Sequence, residues 1–211
     1  MNQSRPKIEW LVWGALAATT LVIAFVFVRE KLAPKPEPPP GVFGKVPAFT
    51  LTNQLGQAVS GSNLIGQVWI ADVIFSRCPI ACERMSRKMA ALQTAIAPGQ
   101  PVKFISLTAD PGFDTPAVLQ KYGDRHQSAP ERWHFLTGPK KDIYELAING
   151  LKFIVVDNTE KNPPSIEEYF LHSQQFVLVD QQGRIRGWFD SAEPDTQQKI
   201  LSAVQVLARE K

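Results

Sequence analysis

Trp10 to Val28 runs without a single charged side chain, WLVWGALAATTLVIAFVFV, and no comparable stretch follows it. As a helix at ~1.5 Å per residue this run spans roughly 28 Å, close to the hydrocarbon thickness of a bilayer. Trp10 and Trp13 stand at its start, where indoles favour the membrane interface. The run is longer than the apolar core of a secretory signal, and its small-residue exit, Leu32-Ala33, leads straight into Pro34. The pattern predicts a short N-terminal tail over 1–9 and a retained transmembrane helix over 10–28. APKPEPPPG, at 33–41, then predicts a stiff extended spacer over 29–41 that holds a domain away from the membrane.

Over 42–211 the pattern changes to short β-rich runs alternating with amphipathic stretches. AFTLTN and QVWIADVIF read as strands, the second apolar enough to be central. Pro79 to about Ala97 reads as a helix, because Met85, Met89, Leu92 and Ile96 recur at offsets of three and four. VKFISLT predicts a buried strand, Thr115–Asp124 a helix, HFLTG a strand, Lys140–Ile148 a helix and KFIVV a strand. QFVLVD and RIRGWFD flank Gln181-Gln182-Gly183, a hairpin signal, and the last 17 or so residues suit a terminal helix. Strand–helix–strand alternation that ends in a hairpin and a helix predicts an α/β domain with a mixed sheet.

The chain has 211 residues, 44% of them hydrophobic and 20% charged, which excludes a disordered chain. Residues 1–41 hold five basic and three acidic side chains, leaving eighteen basic and seventeen acidic over 42–211. The basic pI therefore belongs mostly to the N-terminal segment, and the remainder lacks the dense basic patch of a nucleic-acid binder. Arg5 and Lys7 face Arg29, Lys31 and Lys35 across the apolar run, so charge alone nearly balances the orientation. A short tail stays inside more easily, and a cysteine pair suits an oxidising compartment, so the C-terminal domain is expected on the periplasmic or outer side of a bacterial inner membrane.

The chain has two cysteines, too few for a four-thiolate zinc site or an iron–sulfur cluster. Neither precedes residue 78, which excludes a cysteine-linked lipid near the N-terminus. Cys78 and Cys82 stand in FSRCPIACERM, after the central strand and at a helix start. With Pro79 at the first helical position, Cys78 is placed at the N-cap, where unpaired N–H groups, Arg77 and Arg84 favour its thiolate. Cys82 follows one turn later on the same face. The two sulfurs can close a disulfide or chelate a metal, though alone they leave a metal undersaturated.

A third ligand must come from three histidines. His126, in KYGDRHQ, reads as a solvated surface residue at the end of a polar helix. His134, in RWHFLTG, reads as structural. His172 lies in EEYFLHSQQFVLVD on a loop just before an apolar strand, where a sheet presents side chains; position alone leaves it open between a ligand and an ordinary loop histidine. Asp72 is an unusual charge in an apolar strand, read as a buried carboxylate hydrogen-bonded to its neighbours, with thiol proton transfer as the other option. Met85 and Met89 read as core packing rather than sulfur donors.

From about Val46 to the C-terminus the chain resembles the Sco/SenC family of membrane-anchored, thioredoxin-fold copper proteins. VPAFTLTNQLGQAVSGSNLIGQVWIADVIFSRCPIAC, SLTADPGFDTPAVLQKYG, HFLTG and LHSQQFVLVDQQGRIRGWFD carry the resemblance. The anchor and spacer match the family layout. The resemblance implies a thioredoxin-like mixed sheet flanked by helices over 42–211 and one copper ion per chain, held by Cys78, Cys82 and His172. Two thiolates and an imidazole suit Cu(I) in a trigonal site, and so few ligands let a partner's thiolates displace them one at a time. It implies carriage and delivery of copper for assembly of the dinuclear copper site of a haem–copper oxidase. The implied partners are that oxidase's copper-site subunit and a copper donor protein. The alternative is a thiol-disulfide reductase, with Cys78 attacking and Cys82 resolving; a peroxidase and a purely structural disulfide stand further off. Glu83 stands where many members have a second proline, and Leu171 where many have an acidic residue. Losing that acid would remove a group able to orient the histidine.

Overall fold

Val68–Ile74 (β4) is buried at every position, as a run of Val, Trp, Ile and Ala demands of a strand with neighbours on both sides. The structure is a computed structural model that describes residues 5–32 and 41–210. The chain divides into two units, 1–38 and 39–211. Of the predicted tail over 1–9, residues 1–4 lie outside the described residues, and of the proline-rich spacer over 29–41, residues 33–40 do.

The first unit contains one helix, α1 (Arg5–Leu32). Its described side chains are apolar and exposed, Trp10 at 81% and Leu21 at 71%, with no polar face. Thr19 and Thr20 donate their hydroxyls to the carbonyls of Ala15 and Leu16 four residues back. Such internal satisfaction is what an apolar surrounding requires. Among the described residues no helix is long and apolar enough to cross a membrane.

The second unit is built on a six-stranded mixed sheet. Its other five strands are β1 (Gly44–Lys45), β5 (Val102–Thr108), β6 (Trp133–Leu136), β9 (Gln175–Val179) and β10 (Arg184–Asp190), in the order β1-β10-β9-β4-β5-β6. β4, β5 and β6 are parallel; β9 runs antiparallel to β4 and forms with β10 the hairpin expected at Gln181-Gln182-Gly183. Gly183 has φ +76° there, a conformation costly for any residue with a Cβ. The parallel strands are joined through α2 (Ala81–Ala95) and α3 (Pro116–Arg125), and α5 (Thr196–Leu207) packs beside α2. α4 (Lys140–Tyr144) continues as a π-helix over Glu145–Gly150, covering the helix predicted at 140–148.

Two small elements lie outside the sheet. β2 (Thr50–Thr52) pairs with β3 (Ala58–Ser60). KFIVV yields only β7 (Val155–Asp157), which pairs not with the sheet but with β8 (Phe170–His172) in a separate antiparallel hairpin. His172 is therefore the last residue of a strand, not part of a loop. Met85 and Met89 are fully buried in the core, as their spacing predicts.

The register pairs Ile74 with Thr108, so the chain leaves β4 and β5 side by side at the carboxyl end of the parallel strands. Open α/β sheets place their chemistry at that end.

Candidate metal centre

Phe75 to Ile80 connect β4 to α2, and this turn holds Cys78. The helix begins at Ala81, with Ile80 as its N-cap at φ −121° and ψ −68°. Pro79 thus lies outside the helix, and Cys78 is not the N-cap. Its sulfur nonetheless accepts the backbone N–H of Cys82, 3.4 Å away, so the first turn still supplies the donor expected of it. The Phe75 N–H donates to the Cys82 sulfur at 3.5 Å. Both cysteines are free and buried, Cys78 at 6% exposure and Cys82 at none.

The turn is clamped from the segment after β5. Asp114, fully buried, accepts from the Ser76 N–H at 3.1 Å, from the Ser76 hydroxyl and from the Thr108 hydroxyl at 2.5 Å. Burial pushes its carboxyl up against those three bonds. Arg77 forms a 2.5 Å ion pair with Asp110, whose own N–H donates to the Thr108 hydroxyl. Residues 76 and 77, immediately before Cys78, are thereby held by two carboxylates from one loop. Neither carboxylate was singled out on spacing, because an acid becomes a clamp only when the fold brings a distant turn to it.

His172 reaches the cysteines from β8. Its Nε2 lies 3.2 Å from Cys82 Sγ, across 90 residues of sequence. Its Nδ1 lies 3.1 Å from the Ser173 carbonyl, which can only accept, so Nδ1 carries the proton and Nε2 presents its lone pair to the sulfur. Burial depresses the imidazole pKa, keeping the ring neutral near pH 7, as a ligand must be. Phe75 packs edge-on against the ring, 6.1 Å between centroids. Leu171 is exposed and stands directly opposite Val156 in the hairpin. With leucine at 171, the orienting partner of the imidazole is the backbone carbonyl of Ser173.

The two thiols are electrostatically unequal. The neighbouring Cys82 thiol, helped by the N–H groups of Cys82, Ile80 and Ala81, lowers the Cys78 pKa to about 6 against the opposing effect of burial. Burial, reinforced by Cys78 and by Asp72, pushes the Cys82 thiol well up. Among the described residues no three His, Cys, Asp or Glu side chains stand already spread to hold an ion. The 3.2 Å contact between Cys82 and His172 is of hydrogen-bond length.

Three other predicted positions resolve differently. His126 is buried, contrary to the solvated reading: it caps α3, packs on Tyr122 at 4.7 Å and places Nε2 3.3 Å from Glu83. Glu83 thus ties the first turn of α2 to the end of α3. Burial lowers the His126 pKa, with Glu83 pulling the other way. His134 lies in β6, remote from the cysteines in the pairing order, and its Nδ1 has no partner. Asp72 is fully buried as read, but neither carboxylate oxygen has a hydrogen-bond partner. Desolvation raises its pKa to about 7, and the nearby Ser106 hydroxyl, which accepts from Trp133, offsets little of this.

The cysteine turn, the two clamping carboxylates and the histidine-bearing hairpin coincide with a known sequence profile, described as SCO1/SenC, that matches residues 40–209. The chain belongs to the SCO1/SenC family. It is 33% identical over 163 residues to the SCO1 protein homolog of Bacillus subtilis (strain 168), covering 76% of this chain and 81% of that protein. Among solved structures it is similar to BsSco, described with a disulfide switch and as a member of the Sco family of cytochrome c oxidase assembly proteins. The TM-score is 0.70 and the identity 31%, over 82% of this chain and 97% of that one. Arabidopsis thaliana ScoI, solved with copper bound, shares the fold at TM-score 0.64 and 18% identity, over 76% and 98% of the two chains.

Proposed function

We propose that this chain carries copper on Cys78, Cys82 and His172 and delivers it for assembly of the dinuclear copper site of a haem–copper oxidase. The carrying observation is the meeting of His172 Nε2 with Cys82 Sγ at 3.2 Å, with the imidazole neutral and its tautomer fixed by Ser173. Two sulfurs and one imidazole form a soft set matched to Cu(I). The family and the copper-bound relative support the same ion. Of the two sulfurs Cys78 lies nearer solvent, so an incoming thiolate replaces it before Cys82, which is fully buried.

Titrating the reduced full-length chain in detergent with Cu(I) is expected to saturate at one ion per chain. Saturation at none, with turnover of a disulfide substrate, transfers the assignment to a thiol-disulfide reductase. One observation favours that second reading: the Cys78 thiol is low and the Cys82 thiol high, the division expected of an attacking and a resolving cysteine.

The proposal includes tethering through residues 10–28 in a bacterial inner membrane, with the domain on the periplasmic or outer side. The apolar, exposed side chains of α1 and its internally bonded threonines support it. Protease added to spheroplasts is expected to degrade the C-terminal domain; protection until lysis would place the domain inside.

A further inference from the structure

A cavity of about 340 Å³ opens beside Cys78, between the start of α2 and β8, and its wall includes Ile80, Leu171 and His172. Cys82 does not line it, so Cys78 is the sulfur an entering group meets first. Arg84, one turn beyond Ile80 on α2 and exposed, stands on the same wall. Its Nη2 donates to the side-chain oxygen of Gln174, just past His172, which also lines the cavity. That partner is a neutral amide. Among the described residues no carboxylate lies within 4.0 Å of Arg84, although Glu167 also lines the cavity. The guanidinium thus keeps its full charge and further N–H donors in the fork geometry that suits a carboxylate.

We propose that Arg84 makes this cavity a receptor for anionic sulfur compounds, thiols or disulfides bearing a carboxylate a few ångströms from the sulfur that approaches Cys78. The apolar side chains of Ile80 and Leu171 cover the body of such a group, and Arg84 holds its charged end. A volume of about 340 Å³ admits a small molecule or the tip of a peptide loop. The inference rests on the sulfur-exchange part of the proposed function, with Cys78 as the point of entry, and not on the metal.

The test uses reduced, metal-free, full-length chain and two disulfide probes, the dianionic dithiobis(nitrobenzoate) and the neutral dithiodipyridine. In each reaction the Cys78 thiolate attacks one sulfur, the reagent's S–S bond breaks, and one aryl thiolate leaves with the bonding pair. Cys82 then displaces the second aryl thiolate and gives its proton to solvent, so the protein dithiol loses two electrons and the reagent gains them. Arg84→Gln is expected to lower the ratio of the anionic to the neutral rate about ten-fold at low ionic strength, an effect that shrinks as salt is added. Arg84→Lys restores part of the ratio, and Glu167→Gln shifts it the opposite way. An unchanged ratio, or equal loss with both probes, overturns the proposal. Neither result bears on copper stoichiometry, so failure of the copper reading remains a separate finding. Mixed disulfides of a cysteine peptide flanked by Glu or by Lys distinguish the sources. A Glu-over-Lys preference lost in Arg84→Gln points to a protein partner. Preference confined to the small dianion points to a free thiol compound, and no preference in either format rejects anion recognition.

Discussion

Replacing His172 with alanine is expected to weaken Cu(I) binding by the reduced chain by at least about a hundred-fold, read by competition with a chromophoric chelator. Removing a group that merely orients a metal ligand costs ~10–100-fold, and loss of a ligand itself costs more. The side chain offers the ion a neutral nitrogen already facing Cys82, with its other nitrogen occupied by Ser173. Cys82→Ser removes the buried sulfur and is expected to abolish stoichiometric binding. His126→Ala and His134→Ala are the contrast, since neither ring reaches the cysteines. If His172→Ala retains the native affinity, the three-ligand site is wrong.

Asp72→Asn is expected to make the protein more stable, by an amount that grows with pH. The folded-state pKa of about 7 lies above the reference value of 3.8, so below 3.8 the carboxyl is neutral in both states and costs nothing. Between 3.8 and 7 the unfolded chain has released a proton that the folded chain retains, and stability falls with rising pH. Above 7 the loss is complete, on the order of 4 kcal/mol. Asparagine leaves a buried amide whose own cost does not vary with pH, so the pH-dependent part of the difference isolates the carboxyl. Thermal denaturation of both proteins from pH 4 to 8 reads it. A pH-independent difference would show that Asp72 does not titrate as its burial requires.

How far the sequence carries depends on the range over which each signal acts. β4 and β5 are legible because a strand enclosed on both faces must be apolar at nearly every position. α2 is legible from its Met, Leu and Ile spacing, though not its start: proline is admissible at a first helical position, yet Ile80 leaves the helical region and delays the helix to Ala81. β8 has only three residues, too few for alternation to register, so His172 read as a loop. The burial of His126 is not legible, because the polarity of its own helix says nothing about what packs over its end. The meeting of His172 with the cysteines was legible only through the family resemblance. Spacing joins Cys78 to Cys82, whereas no local rule joins Cys82 to a residue 90 positions away. The clamp by Asp110 and Asp114 and the Arg84–Gln174 bond are tertiary contacts of the same kind.

The placement of β7 and β8 outside the main sheet has a thermodynamic consequence. An ion bound to both Cys82 and His172 is a cross-link closing a 90-residue stretch of chain, with one end on the central core and the other on a two-stranded flap. Closing so long a loop restricts the unfolded ensemble far more than it restricts the native state. The cargo would thus act as a fastener while it is aboard, and handing it on would loosen the same flap that had gripped it.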